Sequence, residues 1–229
     1  MTADVGVIIV AAGSGSRVGG GELKQFRWIA GKPMLLHSVH AFQQRADVGM
    51  VVVVLPREHV GDPPPWLFQC DTERLLLSVG GRNRTDSVRN GLEDLPDAAE
   101  IVVVHDAARP LVTAAVIERV IAEARRGHGA AAGMPAVDSL KRVDDEGNIT
   151  ASVDRAGIFR VQTPQAYPRD MLDRAYASAN SLGVHATDDA ALCERLGYEV
   201  VIVPGSERSL KITDELDFAR AEALSILNE

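Results

Sequence analysis

Two segments of the chain combine a strand-like apolar run with residues that bind anions or metal ions. The first, VGVIIVAAGSGSRVGGGELKQF, spans Val5–Phe26 and carries Arg17 and Lys24 within and just after a glycine-rich loop. The second, VVVHDAARP, spans Val102–Pro110 and places Asp106 directly after an apolar run. Backbone N–H groups of glycine loops approach phosphates closely, and magnesium on a nucleotide uses one or two carboxylates. Both segments are therefore candidates for binding a phosphate-bearing ligand.

The glycine loop fits neither of the two common phosphate-binding templates. No glycine is followed by Lys-Ser or Lys-Thr, as a Walker A loop requires, and Val18 stands where a dinucleotide fingerprint starting at Gly13 needs its last glycine. A nicotinamide dehydrogenase is therefore disfavoured. On these residues alone, the loop can also be a flexible connection with solvated charges, and Asp106 can be a helix N-cap or a partner for Arg109. His105 at a strand end is more often structural than catalytic.

The strands and helices that position the glycine loop and Asp106 can be predicted from the sequence, because short apolar runs alternate with helical patterns. The runs are rich in β-branched residues and do not alternate with polar ones, as is typical of strands buried on both faces of a parallel sheet. Helical spacing occupies Met34–Gln44 and recurs around Val116 and Ile121. We therefore predict a single doubly wound α/β domain with a mostly parallel sheet over residues 1–229. The predicted strands are Val5–Val10, Met50–Leu55, Leu75–Val79, Ile101–Val104 and Val200–Val203.

The second half of the chain contains helix signals and one polar interruption. Thr187 is predicted to cap a helix that ends at Gly197, and Thr213 is predicted to start the last helix. The polar segment Ser139–Gln162, with a turn around Glu146–Asn148, is predicted to form a β-arm that projects from the sheet. Since this arm has few apolar residues, we expect it to belong to the same domain.

Composition excludes some classes of function. The formal net charge of −8 disfavours non-specific nucleic-acid binding, which needs a basic face. No run of about 18 apolar residues is present, so no membrane span is expected, and the N-terminus shows no secretion signal. Cys70 and Cys193 are the only cysteines. Two reduced thiols and a cytoplasmic location are favoured over a disulfide.

The glycine loop resembles the signature loop of sugar-nucleotide pyrophosphorylases and related nucleotidyltransferases. Together with four further motifs, it makes the chain similar to the 2-C-methyl-D-erythritol 4-phosphate cytidylyltransferase family from about Val5 to Glu222. Leu23 departs from the proline that this family usually has before the lysine. The further motifs are GGRNRTDSVRNGL (Gly80–Leu92), VDRAGIFRVQTPQAY (Val153–Tyr167), TDDAALCE (Thr187–Glu194) and LKITDELDFARAE (Leu210–Glu222).

The resemblance implies an enzyme that joins CTP and a polyol phosphate into a CDP-alcohol in non-mevalonate isoprenoid biosynthesis. It implies that Arg17 and Lys24 bind the triphosphate and stabilise the transition state. It also implies that Asp106 holds Mg²⁺ or another divalent cation. Arg82 stands at a position that varies in the family, which weakens any inference about how the base is recognised. The implied nucleotide-binding residues are Ala11, Ala12, Gly13, Gly15, Gly81 and Ser87.

The resemblance also implies an acceptor site shared between the subunits of a homodimer. Lys211 would anchor the polyol's phosphate, and Ala107 and Arg109 would lie near the joined phosphates. The arm would mediate dimerisation, so that Arg155 and Thr163 reach the neighbour's substrate. Ser139, where the family often has threonine, and Thr187 would line the polyol's pocket.

Two other functions remain open at this point. A cytidylyltransferase for another polyol phosphate, such as ribitol 5-phosphate, would share the loop and the metal site. A non-catalytic nucleotide-binding module could keep the loop but would not need Asp106, Arg155 and Lys211 together.

Overall fold

A seven-stranded sheet forms the centre of the computed structural model, which describes residues 3–13 and 23–227. The strands are β1 (Val5–Val10), β2 (Trp28–Ile29), β3 (Lys32–Pro33), β4 (Val48–Leu55), β5 (Leu75–Val79), β6 (Ile101–Asp106), β7 (Gly129–Pro135), β8 (Leu140–Val143), β9 (Ile149–Val153), β10 (Phe159–Pro168) and β11 (Val200–Pro204). The central sheet has the order β11-β7-β10-β6-β1-β4-β5, whereas β2–β3 and β8–β9 form two small separate sheets. All neighbours in the central sheet are parallel except β10, which is antiparallel to both β6 and β7.

Helices cover both faces of this sheet. One face packs against α1 and α4, and the other packs against α3, α5 and α6. The last helix, α7, packs with Ile29 and Ile212 in a smaller cluster. The helices are α1 (Met34–Gln43), α2 (Arg57–Val60), α3 (Arg84–Asp94), α4 (Ala114–Arg125), α5 (Arg169–Leu182), α6 (Asp189–Arg195) and α7 (Glu215–Ser225).

The five apolar runs that predicted strands all lie in the central sheet. β1 and β6 are its most buried members, because each has neighbours on both sides and helices on both faces. Valine and isoleucine fill this environment well, because their branched side chains pack on both sides of a pleated strand. The predicted α/β class with a mostly parallel sheet is confirmed.

Two strands of the central sheet have sequences that do not look like strands. β7 has the sequence GAAAGMP, and alanine and glycine are both depleted in strands. β10 contains Pro164 and Pro168 and the polar residues Gln162, Thr163 and Gln165. Both strands are nevertheless largely buried, so their conformation follows from tertiary packing rather than from local preference.

The polar interruption contains an antiparallel hairpin, β8–β9. Its turn is held by Asp144, whose Oδ1 accepts hydrogen bonds from the backbone N–H groups of Glu146 and Asn148. The predicted end of the arm at Gln162 is wrong, because β10 already begins at Phe159 and pairs with β7. The register of these strands, rather than polarity, decides where the arm ends.

Two predicted helix caps are one residue away from the observed caps. Asp188, not Thr187, caps α6, and Asp214, not Thr213, caps α7. An aspartate carboxylate is an equally good acceptor for the first N–H groups, and here it lies in the extended conformation that a cap requires. Gly197 follows the end of α6 with φ of 76°, as predicted.

Neither thiol forms a disulfide: Cys70 is half-buried and Cys193 is buried. Among the described residues, no helix is long and apolar enough to cross a membrane.

Candidate functional site

The carboxyl ends of β1, β5 and β6 open into a cleft of about 530 Å³, here called the main cleft. Hydrogen bonds continue the strand ladders into its wall: Ala11 N–H donates to Val54 O (2.9 Å) and Ala107 N–H donates to Val10 O (3.1 Å). Strand-end backbone therefore forms part of the wall, which leaves polar main-chain groups close to any ligand. The predicted site residues that line this cleft are Ala11, Ala12, Gly13, Lys24, Gly81, Ser87, Asp106, Ala107 and Lys211.

Lys24 enters the main cleft from a short 3₁₀ turn, Lys24–Phe26. Its ammonium donates a hydrogen bond of 2.7 Å to the carbonyl of Ile212, the residue after Lys211. The neighbouring Gln25 is buried and donates to the carbonyls of Ala11 (2.6 Å) and Gly13 (3.2 Å). Gln25 thus ties the end of β1 to this turn, a function that its polar side chain alone does not reveal.

Two predicted residues of the glycine loop, Gly15 and Arg17, lie outside the described residues. Their roles stay predictions.

The opposite wall of the main cleft is the connection from β5 to α3. A Cβ atom on Gly81 would lie 2.2 Å from Asp86 Cβ, so a side chain does not fit there. Ser87 Oγ accepts from Gly81 N–H (3.1 Å) and donates to the carbonyl of Asn83 (2.8 Å). Asn83 rather than Ser87 caps α3, which leaves Ser87 to fix the wall.

Asp106 is buried at the end of β6 and is surrounded by cations. Its Oδ2 accepts from Lys211 Nζ (2.8 Å), its Oδ1 accepts from Arg84 Nε (3.2 Å), and Arg109 Nε lies 4.0 Å from Oδ2. Burial would raise the pKa of Asp106, but Arg84, Lys211 and Arg109 hold this pKa well below its usual range. The helix that follows is capped by Thr113, so the N-cap reading of Asp106 is wrong.

Arg84 connects this carboxylate to a second one that the sequence did not reveal. Its two terminal nitrogens donate to Asp189 Oδ1 (3.1 Å) and Oδ2 (2.9 Å), and the Asp189 side chain is fully buried. Burial opposes the charge of Arg84, but Asp189 and Asp106 raise its pKa above the ordinary value. The pair is separated by 105 residues along the chain, so no local pattern could have identified it.

Thr163 belongs to the site of its own chain. Its Oγ1 accepts a hydrogen bond from the backbone N–H of Asp106 (2.9 Å) and lies 3.2 Å from His105 Nδ1. These contacts hold the buried hydroxyl of Thr163 within its own chain, whereas its predicted role toward the neighbouring subunit stays a prediction.

His105 is a structural residue beneath the site, as its position suggested. Its Nε2 lies 3.1 Å from the carbonyl of Arg109. A carbonyl only accepts, so Nε2 carries the ring proton and Nδ1 accepts from Thr163. Burial lowers the pKa of His105 to about 4, which keeps the ring neutral near pH 7. The ring thereby ties both Thr163 and Arg109 to the end of β6.

A second cavity of about 220 Å³, here called the side cavity, adjoins the main cleft. Both cavities are lined by Arg84, Asp106 and Lys211, so these three residues mark their junction. Arg109 is held there by a hydrogen bond of 2.7 Å from its Nη1 to the carbonyl of Ser209. The other lining residues are Val161, Gln162, Thr163, Gln165, Thr187 and Asp188.

Two predicted site residues, Ser139 and Arg155, lie away from both cavities. Ser139 is exposed just before β8, and the exposed Arg155 donates to the carbonyl of Val137 at the base of the hairpin. Neither residue lines the main cleft or the side cavity of its own chain. Within one chain, the structure therefore brings together all described members of the predicted site except these two.

The donor set for a metal ion is small. Among residues 3–13 and 23–227, no group of three or more histidine, cysteine, aspartate or glutamate side chains could hold a metal by itself. Asp106 offers one carboxylate on the wall of the main cleft, and Mg²⁺ commonly uses one or two carboxylates together with phosphate oxygens. The residues therefore fit a divalent cation that binds together with a phosphate ligand. This cation would compete with Lys211 and Arg84 for the Asp106 carboxylate.

The fold and the site together define a class of protein. An open α/β sheet binds ligands at the carboxyl ends of its strands, and here those ends gather backbone N–H groups, lysines, arginines and two aspartates around two joined cavities. This arrangement is that of an α/β nucleotidyltransferase, which brings two phosphate-bearing substrates together.

Comparisons with known proteins identify the family. The family model described as IspD, 2-C-methyl-D-erythritol 4-phosphate cytidylyltransferase, matches residues 5–228. Proteins of that name from Syntrophus aciditrophicus and Salinibacter ruber are each 40% identical, over 97% and 95% of this chain and 96% and 91% of their own. The crystal structure of the Thermus thermophilus enzyme of the same name has a TM-score of 0.82 at 33% identity, and covers 98% of this chain and 100% of its own. The chain belongs to the 2-C-methyl-D-erythritol 4-phosphate cytidylyltransferase family.

Proposed function

We propose that this protein transfers the cytidylyl group of CTP to 2-C-methyl-D-erythritol 4-phosphate. The products are 4-diphosphocytidyl-2-C-methyl-D-erythritol and pyrophosphate, in the non-mevalonate route to isoprenoid precursors. The observation that carries this proposal is the junction of the two cavities at Arg84, Asp106 and Lys211. A site for joining two substrates needs two adjacent pockets, and the larger one here, at about 530 Å³, has the volume of a small-ligand site.

The reaction needs charge neutralisation more than proton transfer. An oxygen of the acceptor's phosphate forms a bond to the α-phosphorus of CTP, and the bond from that phosphorus to the leaving pyrophosphate breaks. A phosphate monoester is largely ionised at neutral pH because its second pKa is about 6, so no general base is required. The difficulty lies in bringing two anions together, which preorganised cations overcome.

We assign the nucleotide to the main cleft. Arg17 and Lys24 bind the triphosphate, and the walls at Ala11, Ala12, Gly81 and Ser87 enclose the cytidine. The support for this assignment is the position of Lys24 on the cleft wall and the close backbone approach at Gly81. Asp106 would hold a divalent cation, which would withdraw negative charge from the phosphates.

We assign the acceptor to the side cavity. Arg109, Thr163, Thr187 and Lys211 bind the polyol phosphate within one chain, and Lys211 exchanges its contact with Asp106 for the acceptor's phosphate. The support is the position of all four residues on the wall of this cavity.

We also propose a homodimer in which Ser139 and Arg155 complete the neighbour's side cavity. The hairpin carries Val143 and Ile149, each more than half exposed, which a partner chain would cover. A two-fold interface is self-complementary, so each arm would serve the opposite site. The free thiols Cys70 and Cys193 are consistent with a reducing compartment such as the cytoplasm.

The proposal is tested by measuring pyrophosphate release with a panel of substrates. We expect rapid release with CTP and 2-C-methyl-D-erythritol 4-phosphate in the presence of magnesium, and little release when either substrate or magnesium is omitted. Ribitol 5-phosphate and UTP serve as matched alternatives for the acceptor and the nucleotide. Faster turnover with ribitol 5-phosphate would reassign the acceptor, and nucleotide binding without turnover on any acceptor would indicate a non-catalytic module.

A further inference from the structure

Arg84 occupies the junction of the two cavities without being one of the cations that the family motifs single out. It is the first residue of α3, and Asn83 caps this helix directly before it. All three nitrogens of its guanidinium are used: Nε faces Asp106 at 3.2 Å, and the two terminal nitrogens face Asp189 at 3.1 Å and 2.9 Å. Such a planar, forked arrangement is specific to arginine.

Asp189 is a rigid support for this guanidinium. Its side chain is fully buried at the start of α6, and its Oδ1 also accepts a hydrogen bond of 2.5 Å from the hydroxyl of Tyr176 on α5. Among the described residues, Arg84 is the only cation that forms a salt bridge with Asp189. A buried carboxylate needs a partner of opposite charge, so this contact is strongly favoured in the folded protein.

We propose that Arg84 is a positioning residue that orients the Asp106 carboxylate for cytidylyl transfer. Because the bidentate contact with Asp189 fixes the guanidinium plane, Nε is held against Asp106 Oδ1 while Lys211 contacts Oδ2. When Lys211 moves to the acceptor's phosphate, the contact with Arg84 remains, and the carboxylate cannot rotate without losing it. Arg84 thereby fixes the group that faces both substrates and links the start of α3, at the main cleft, to α6, beside the side cavity. This inference rests on the proposed function, since the reaction is what the orientation serves.

Arg84→Lys tests the inference, because lysine keeps the charge but cannot contact Asp189 through two nitrogens and Asp106 through a third. We expect kcat to fall about 10²-fold, the usual consequence of misplacing a catalytic group by about 1 Å. KM for CTP should change less than about threefold, because the cytidine and triphosphate contacts are untouched. In Arg84→Ala, guanidinium ion added well below denaturing concentration should restore part of the lost turnover.

Arg89→Lys is the matched control, since Arg89 lies on the same helix but contacts Asn180 and Asp86 instead. It should keep wild-type turnover and show no response to guanidinium. Turnover of Arg84→Lys within about twofold of wild type, or a loss that guanidinium never restores in Arg84→Ala, would overturn the inference. Wild-type protein that releases no pyrophosphate would refute the proposed function and, with it, this inference. Active wild-type protein whose Arg84→Lys variant keeps its turnover would refute this inference alone, so the two failures are distinguishable.

Tyr176→Phe provides a further test should the Arg84 variants fail to fold. It removes only the hydroxyl that supports Asp189, and Asp189 keeps its contact with Arg84. We expect kcat to fall about fivefold, the effect of one hydrogen bond, with an unfolding midpoint close to that of wild type. Unchanged kcat in this folded variant would also overturn the inference.

Discussion

The main cleft and the side cavity share three lining residues but differ in their other lining residues. The main cleft has small residues at strand ends, Ala11, Ala12 and Gly81, in its wall, together with polar side chains such as those of Lys24 and Asp106. The side cavity is walled mostly by polar side chains that converge from β10, from the segment before α6 and from Arg109. Backbone walls follow directly from strand order, whereas side-chain walls depend on distant segments that meet only in the folded chain.

This difference has a consequence for how the two substrates would be held. A rigid backbone wall at the end of a buried strand is already in place before the nucleotide arrives. The side cavity is smaller, at about 220 Å³, and the two residues assigned to it from the arm lie elsewhere in the same chain. We therefore expect variants of the main cleft to act within one subunit and variants of the arm to act across the dimer.

The largest effect is expected for Lys24→Ala in the main cleft. Loss of one preorganised donor to charge that develops in the transition state typically lowers kcat by about 10²–10³-fold. Lys32→Ala is a suitable control, because Lys32 contacts His40 rather than lining the cleft. Steady-state kinetics at saturating CTP measure both variants. Near-normal turnover of a folded Lys24→Ala protein would contradict the role of this lysine.

The next effect concerns the junction between the two regions. Asp106→Asn keeps the shape of the side chain but removes the charge that attracts a divalent cation. We expect the magnesium concentration at half-maximal activity to rise at least about tenfold, or activity to disappear. A magnesium titration of pyrophosphate release measures this. An unchanged magnesium dependence would show that Asp106 serves only to hold Arg84 and Lys211 in place.

A smaller effect, a partial recovery of activity, is expected when two inactive variants share a dimer. Lys24→Ala is defective in its own main cleft, and Arg155→Ala is defective in the neighbour's side cavity. In a mixed dimer, one site carries both defects and the other carries none. Unfolding and refolding the two variants together should restore about a quarter of wild-type activity, since half of the dimers are mixed. A mixture that stays inactive, while both parents form folded dimers, would place Arg155 in its own chain's site.

The smallest effect concerns stability rather than turnover. The folded-state pKa of His105 is about 4, below its ordinary value of 6.5, so the unfolded chain binds the proton more readily. Its contribution to stability is present near pH 7 and is lost as the pH falls from 6.5 towards 4. His105→Gln should therefore be less stable than wild type at pH 7, with a difference that narrows towards pH 4. Chemical unfolding at both pH values measures this, and a difference that does not narrow would contradict a neutral, buried ring.

The two regions also differ in how far the sequence predicts them. The apolar runs locate β1, β5 and β6, and therefore place Asp106 and the glycine loop at one edge of the sheet. Arg84 and Asp189 could not be paired, because 105 residues separate them and the contact depends on α3 and α6 covering the same face of the sheet. The strand β7 was missed because its alanines favour a helix locally, and only its pairing with β10 and β11 makes it extended.

Thr163 shows that a motif alone does not reveal whether a residue acts in the site of its own chain or in that of a neighbouring subunit. The motif that contains it follows the arm, which favoured a role in the neighbouring subunit. Its strand β10 turns back into the central sheet beside β6, and that pairing carries Thr163 to the Asp106 of its own chain. This register, which the sequence does not display, favours a role for Thr163 in the site of its own chain.

The central claim is that the two cavities hold CTP and a polyol phosphate so that the two become joined at the junction. Phosphorus NMR of the wild-type enzyme with CTP, 2-C-methyl-D-erythritol 4-phosphate and magnesium tests this directly. We predict that the monoester signal of the acceptor disappears as two mutually coupled diphosphate signals and one equivalent of pyrophosphate appear. CTP that is hydrolysed to CMP while the monoester signal remains, or that stays intact, would contradict the claim.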